Sequence, residues 1–290
     1  MDLLLQFLVN GVVIGVFYAL SALGLTLIFG LMRVVNFAHG DFYMLGGVLG
    51  WFVTERLGLD FFSGLAIVAV VMAAFGWVID RVLIERVRDQ GEEAGILLTI
   101  GLSIVIANVA LLAVGTAPLK VASPVSEAPL LLGPVVLTRG RVVALVIAAL
   151  LVVASHLLIR RTTLGRAMRA TFQDPMAARL AGIRTERVYA STFALGTTLA
   201  ALSGMLLGSI YSAQVSIGGT VSLKAFVVVI LGGMGSFPGA IAGGLLLGVV
   251  EALWGGYIST NLVDLVGFLL VIVLLLFRPY GLFSLRAERA

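Results

Sequence analysis

The chain has no cysteine and only two histidines, His39 and His156. The first absence excludes disulfides, thiolate metal sites and thiol nucleophiles. The second leaves His39 without the company a metal centre needs. Charge is scarce too. Charged residues are 12% of the 290, against roughly a quarter in a soluble domain. Lysine occurs only at Lys120 and Lys224. Neither follows a glycine, and the glycine-rich run GGMGSFPG at 232–239 lacks a Lys-Ser/Thr ending. There is thus no Walker A element, and ATP hydrolysis by that route is excluded. The HExxH, GxSxG and paired-aspartate signatures of an intramembrane enzyme are missing as well. No catalytic residue and no metal ligand is expected.

What the chain has is apolar surface. Hydrophobic residues make up 60% of it, and the mean hydropathy is +1.14. Apolar runs fall near 5–30, 41–57, 61–80, 95–115, 141–159, 187–210, 222–256 and 258–277. Most are long enough to span a bilayer. Backbone groups cannot stay unpaired in lipid, and the ten-residue alternation of a membrane barrel is absent, so the spans are helices. The expected fold is all-α: one polytopic membrane domain over 1–290 with about eight or nine segments. The first run lacks a basic leader and reads as a span rather than a cleaved signal. The basic excess is nearly all arginine, and in this setting it reports topology and anionic lipid rather than nucleic acid.

Lys and Arg counts set the orientation. The 80–94 and 160–187 stretches and the tail with Arg278, Arg286 and Arg289 hold most of the arginines and are expected in the cytoplasm. The 116–140 loop and the N-terminus then face outside. For the C-terminus to return to the cytoplasm, 222–256 must be two pieces. It is interrupted at GGMGSFPG, where Pro238 and its neighbouring glycines cannot continue a regular helix. The first piece, near 222–239, either spans or re-enters.

Three groups of residues stand out. In RVVNFAHGD, residues 33–41, the polar Arg33, Asn36, His39 and Asp41 lie between apolar runs. They either face a cavity or pathway in the membrane or form a cytoplasmic turn with helix caps. Lys224 and Glu251 read either as a buried ion pair or with Lys224 snorkelling from an interfacial helix end, and Asp264 reads as an interfacial helix-end charge. Small-xxx-small spacings at Gly46/Gly50, Gly204/Gly208, Gly239/Gly243 and Gly244/Gly248 are packing signals. DFYMLGGVLG (41–50) also echoes KAFVVVILGGMG (224–235). The echo reads either as an internal repeat with helices broken in matching places or as chance in a composition this apolar.

The stretch 160–187 differs from all of these. Seven arginines sit there against Asp174 and Glu186. Thr163 is a candidate cap for one short helix, with Leu164, Ala167, Met168 and Thr171 near one face and Arg166 and Arg169 elsewhere. Asp174-Pro175 then starts a second helix, PMAARLAG, which Gly182 stops. A basic anchor on headgroups would need the arginines alone. The caps and the Ala-rich face point instead to a docking element.

Three stretches together carry a family resemblance: GLTLIFGLMRVVNFAHGDFYMLGG (24–47), GRAMRATFQDPMAARLAGI (165–183) and AFVVVILGGMGSFPGAIAGGLLLG (225–248). In their order and spacing the chain resembles the membrane permeases of ABC importers for branched-chain amino acids, the hydrophobic amino acid uptake class. The resemblance covers essentially the whole chain. It implies a bacterial inner-membrane subunit paired with a second permease, commonly a paralogue. Two cytoplasmic ATPase subunits would hold the ATP and Mg²⁺, and a periplasmic or lipid-anchored binding protein would deliver substrate. It implies no cofactor on this chain. It further implies that 165–183 couples to the ATPase, with Gly165, Arg166, Arg169, Asp174, Pro175, Ala178 and Gly182 as coupling residues. On the resemblance, Asn36, His39, Asp41, Gly232, Gly233 and Gly235 would lie near the translocation path; Lys224 and Glu251 join them as charges inside apolar segments. Relatives of this class carry neutral amino acids, urea, short amides or aromatic acids. An ion-coupled secondary transporter is the competing reading, with Asp41, Glu251 and Asp264 as its available acids.

Overall fold

A computed structural model describes residues 2–278 and 281–283, apart from residues 33, 124 and 126. Arg33, Arg286 and Arg289 lie outside the described residues. Helix α1 (Asp2–Met32) is followed by the short α2 (His39–Trp51), which runs on through a π-helical turn at Phe52–Arg56. Helix α3 (Phe61–Ile79) continues through a second π turn, Asp80–Ile84, into the one-turn α4 (Glu85–Val87), and α5 (Glu92–Val114) follows. Strands β1 (Pro129–Leu132) and β2 (Val135–Thr138) precede α6 (Arg139–Arg161), α7 (Thr163–Gln173) and α8 (Pro175–Leu180). The chain ends in α9 (Thr185–Ile210), α10 (Ile217–Gly232), α11 (Phe237–Tyr257) and α12 (Val263–Phe277).

Six helical stretches are long and apolar enough to cross a membrane: α1, α3 with α4, α5, α6, α9 and α11. Helices α10 and α12 are shorter apolar helices. Most of the expected apolar runs became helices, with three differences. The polar 80–94 stretch is not all loop, because α3 runs on to Val87 and buries Asp80 completely. The 116–140 loop holds an antiparallel hairpin, with Pro129 opposite Thr138 and Leu132 opposite Val135. Gly133, with φ of 62°, makes its tight turn. The helix over the 41–57 run begins earlier, at His39, and its start is set beside Ser21 in the middle of α1.

The core is built on α9, whose residues are mostly buried, and on the second half of α1, with α2, α10 and α11 wrapped around them. Glycine permits the close approaches. At the α1–α9 crossing a Cβ on Gly24 would strike the Gly196 carbonyl, and one on Gly196 would lie 2.7 Å from the Gly24 carbonyl. Along α1–α11, Gly15 meets Gly244 and Leu245, and Gly248 meets Gly11 and Gly15. Gly46 meets Ala201, and Gly204 meets Tyr43. Most of the small-xxx-small glycines therefore lie at helix contacts, while Gly208 packs against Val121 and Ala213 outside the helices.

The two ends of the bundle differ. At one, Gln6 in the first turns of α1 exchanges hydrogen bonds of 2.8 and 3.1 Å with the Val136 backbone. Leu119 pairs with Ala213 at the same end. At the other lie α7 and α8, reached through the length of α6. There the His156 and Phe237 rings stand 5.3 Å apart. Leu282 and Phe283 donate to the carbonyls of Leu231 and Gly232 at 2.9 and 3.0 Å. The N-terminus and the last described residues thus sit at opposite ends.

Candidate functional site

Residues 34–36 follow α1 as non-helical backbone and turn at 37–38 into α2, with Val34, Asn36 and Ala38 buried and Val35 and Phe37 half-buried. Non-helical backbone at membrane depth survives only where its polar groups find partners. Thr99 on α5 bonds both Val35 O (3.1 Å) and the Phe37 N–H (3.3 Å). Ser222 on α10 donates to Phe37 O at 3.0 Å and accepts from the Gly40 N–H at 2.8 Å. Asn36 Oδ1 accepts from the Ala38 N–H at 3.2 Å. His39 Nε2 lies 2.9 Å from the Ser21 carbonyl; a carbonyl only accepts, so that nitrogen carries the proton. The Asp41 carboxylate lies against Gly218, where an added Cβ would come within 2.6 Å of Oδ1. Asn36 and His39 are fully buried and Asp41 nearly so. None of the three lines the cavities described next. Asn36 bonds within the break, His39 ties it to α1, and Asp41 packs against α10.

The polar chemistry that does face open space belongs to other residues. Lys224 Nζ lies 3.0 Å from Glu251 Oε2 and 3.0 Å from Asp264 Oδ1, and donates to Tyr18 Oη at 2.9 Å. Tyr18 in turn donates to Glu251 Oε2 at 2.7 Å. All three ammonium donors are used. The expected Lys224–Glu251 pair is present. Asp264 is not a solitary helix-end charge, since the lysine reaches it too. Sequence gave no sign of Tyr18, because a tyrosine in an apolar helix looks like any other core residue.

Two cavities flank this lysine, and Thr220 and Lys224 stand in the walls of both. The first is bounded by Phe17, Tyr18, Ser21, Tyr43, Ser203, Leu207, Ile217, Val221 and Ala225. The second is bounded by Leu223, Val227, Leu247, Glu251, Asp264, Gly267 and Phe268. Mostly apolar walls with a few polar anchors are the lining of a small-molecule site. Gly232, Gly233 and Gly235 line neither. Gly232 packs on Gly239, while Gly233 and Gly235, with φ of 97° and 81°, turn the chain from α10 into α11. Ser236 caps α11 by accepting from the Gly239 N–H at 3.1 Å.

At the arginine-rich end, Thr162 rather than Thr163 caps α7, accepting from the Gly165 N–H at 3.0 Å. Gly165, Met168 and Thr171 form its buried stripe, and Arg166 and Arg169 are exposed. Arg169 donates to the Ile159 carbonyl, the last turn of α6. Asp174 Oδ1 accepts from the Met176 and Ala177 N–H groups at 2.8 and 3.0 Å, with Pro175 in the first turn of α8. Gly182, with φ of 85°, closes that helix: its N–H reaches Arg179 O and that of Ile183 reaches Ala178 O, a Schellman arrangement. Ala178 and Gly165 face inward and shape the pair. The outward face of α8 is apolar, with Met176 73% and Leu180 86% exposed, and neither was singled out from sequence. Among the described residues no group of three or more metal-ligating side chains gathers.

A family model described as the permease component of the branched-chain amino acid transport system matches residues 7–277. The chain is similar to the high-affinity branched-chain amino acid transport system permease protein LivH of Escherichia coli strain K12. The two are 37% identical over 294 residues, covering 96% of this chain and 94% of the relative. The corresponding protein BraD of Pseudomonas aeruginosa is 36% identical, covering 96% of this chain and 95% of its own. LivM of Escherichia coli strain K12, a second permease protein, is 26% identical over 91% of this chain and 67% of its own. No solved structure matches.

Proposed function

Because this chain belongs to the permease components of branched-chain amino acid transport systems, we propose that it carries branched-chain or related small neutral amino acids inward across the bacterial inner membrane. It is a membrane transport subunit, not an enzyme. In this reading the cavities around Lys224 lie on the route, and access alternates between the two ends of the bundle. Residues 1–290 form one permease domain, whose partner is a second permease related to this chain as LivM is. A separate binding protein delivers substrate at the hairpin end, where the N-terminus lies.

Energy comes from two ATPase subunits that hold ATP and Mg²⁺ and contact 160–187 on the cytoplasmic side. The single observation carrying this is α8: a helix capped at both ends that presents Met176 and Leu180 outward on the arginine-rich end. An isolated apolar tip of this kind suits a groove on a partner, while Arg166 and Arg169 flank it. The test is co-purification. Met176→Glu with Leu180→Glu is expected to release the ATPase subunits and abolish substrate-stimulated hydrolysis, while the permease pair stays monodisperse. ATPase retention and stimulated hydrolysis at wild-type level would place coupling elsewhere.

A further inference from the structure

Lys224 is saturated, yet two buried polar atoms around it are not. Glu251 is 5% exposed, and its Oε1 has no hydrogen-bond partner. It stands in the wall of the second cavity. Ser21 Oγ, equally buried and without a partner, stands in the wall of the first. A buried acceptor left open costs free energy unless a ligand fills it. Among the groups on Lys224, Asp264 is the one at the surface, with its side chain 64% exposed against 5% for Glu251. It occupies the first turn of α12, where a helix N-terminus favours an anion even when it is unpaired.

We infer that the Lys224 cluster is a recognition site for a zwitterionic α-amino acid, in which the substrate carboxylate displaces Asp264 from the lysine. The α-ammonium donates to Glu251 Oε1, and Ser21 Oγ donates to the carboxylate. The apolar side chain enters the first cavity among Phe17, Leu207, Ile217, Val221 and Ala225. Lys224 stays paired throughout, so no lone buried charge is created during the exchange. A carboxylic acid without an amine leaves Oε1 unfilled. An amine without a carboxylate has nothing to set against Asp264. The inference rests on the reading of this chain as an amino acid permease.

The test uses the assembled transporter, both permeases with their ATPases, in nanodiscs without binding protein and with tritiated L-leucine as the probe. Asp264→Asn weakens the competitor on the lysine, and L-leucine is expected to bind threefold to tenfold more tightly. Lys224→Gln combined with Glu251→Gln removes both anchors without stranding a charge and is expected to weaken binding at least tenfold. On the wild type, 4-methylpentanoate and leucinamide are expected to compete at least tenfold less well than L-leucine. If the double variant does not assemble, Asp264→Asn and the two competitors decide. Unchanged or weaker binding in Asp264→Asn, or equal competition by all three compounds, overturns the inference and leaves the permease reading intact. A wild type that co-purifies with its ATPases but binds no L-leucine overturns both the inference and the substrate reading.

Discussion

Tyr18 ties the Lys224 cluster to α1, donating to Glu251 and accepting from Lys224. Tyr18→Phe removes both bonds and leaves its two partners paired to each other. A drop of about 1–3 kcal/mol in stability is expected, the cost of an unmet buried hydrogen bond, read as a lower midpoint of thermal unfolding in detergent. Lys224→Met is expected to cost more, about 3–5 kcal/mol, because Glu251 is left as an uncompensated buried charge. Adding Glu251→Leu to that variant should recover most of the loss. A double variant no more stable than Lys224→Met would mean that the pair is held by more than its charges. At this scale the sequence was half legible. A lysine and a glutamate inside apolar runs announce that they need partners. Asn36, His39 and Asp41 announced the same, but Ser222 and Thr99, which complete their segment, are ordinary hydroxyls remote in sequence.

Elements were more legible where backbone chemistry is strict. Asp-Pro starts a helix and glycine stops one, so α8 begins and ends where those residues sit. The α10–α11 turn falls within the glycine-rich run for the same reason. Thr162 and Thr163 are equally able caps by residue type, so the sequence alone does not choose between them. Asp174 allows capping to be separated from charge. Asp174→Ala is expected to cost about 1 kcal/mol of helix stability and to lower substrate-stimulated ATP hydrolysis. Asp174→Asn, an equally good cap, is expected to retain it. If both variants lose stimulation alike, the carboxylate itself is what the partner needs. At the α1–α9 crossing, Gly24→Val is expected to push the helices apart and lower the unfolding midpoint. Adding Gly196→Val should cost less than it does alone, because the contact is already open.

At the scale of the whole molecule, two helix pairs are spaced alike. Helix α1 ends at Met32 and α2 begins at His39; α9 ends at Ile210 and α10 begins at Ile217. His39 thus follows Met32 at the same interval as Ile217 follows Ile210. Gly24 faces Gly196 and Gly40 faces Gly218, so the two pairs meet through glycines. Matched on their first residues, His39 and Ile217, the short helices pair Lys224 with Gly46 rather than with Asp41, so the echo between 41–50 and 224–235 has a different offset from this spacing. Sidedness is testable because the chain has no cysteine. Single cysteines at Leu131 in the hairpin and Leu180 in α8 are both well exposed positions. An impermeant maleimide is expected to label the first in intact spheroplasts and the second only in inverted vesicles. Labelling of both from one side would contradict the opposite-ends arrangement.

The seam between α1 and α11 has a consequence for biosynthesis. Gly11 and Gly15 close against Gly248 and Gly244, so α1 completes its contacts only after α11, far later in the chain, has been made. At about 5–20 residues per second the interval is on the order of ten to fifty seconds. Over that time α1 lies in the bilayer with Tyr18 and Ser21 facing lipid or an insertion factor. The bundle closes like a clasp, last part onto first, and a chain stalled before α11 would present its glycine face to the quality-control proteases of the membrane.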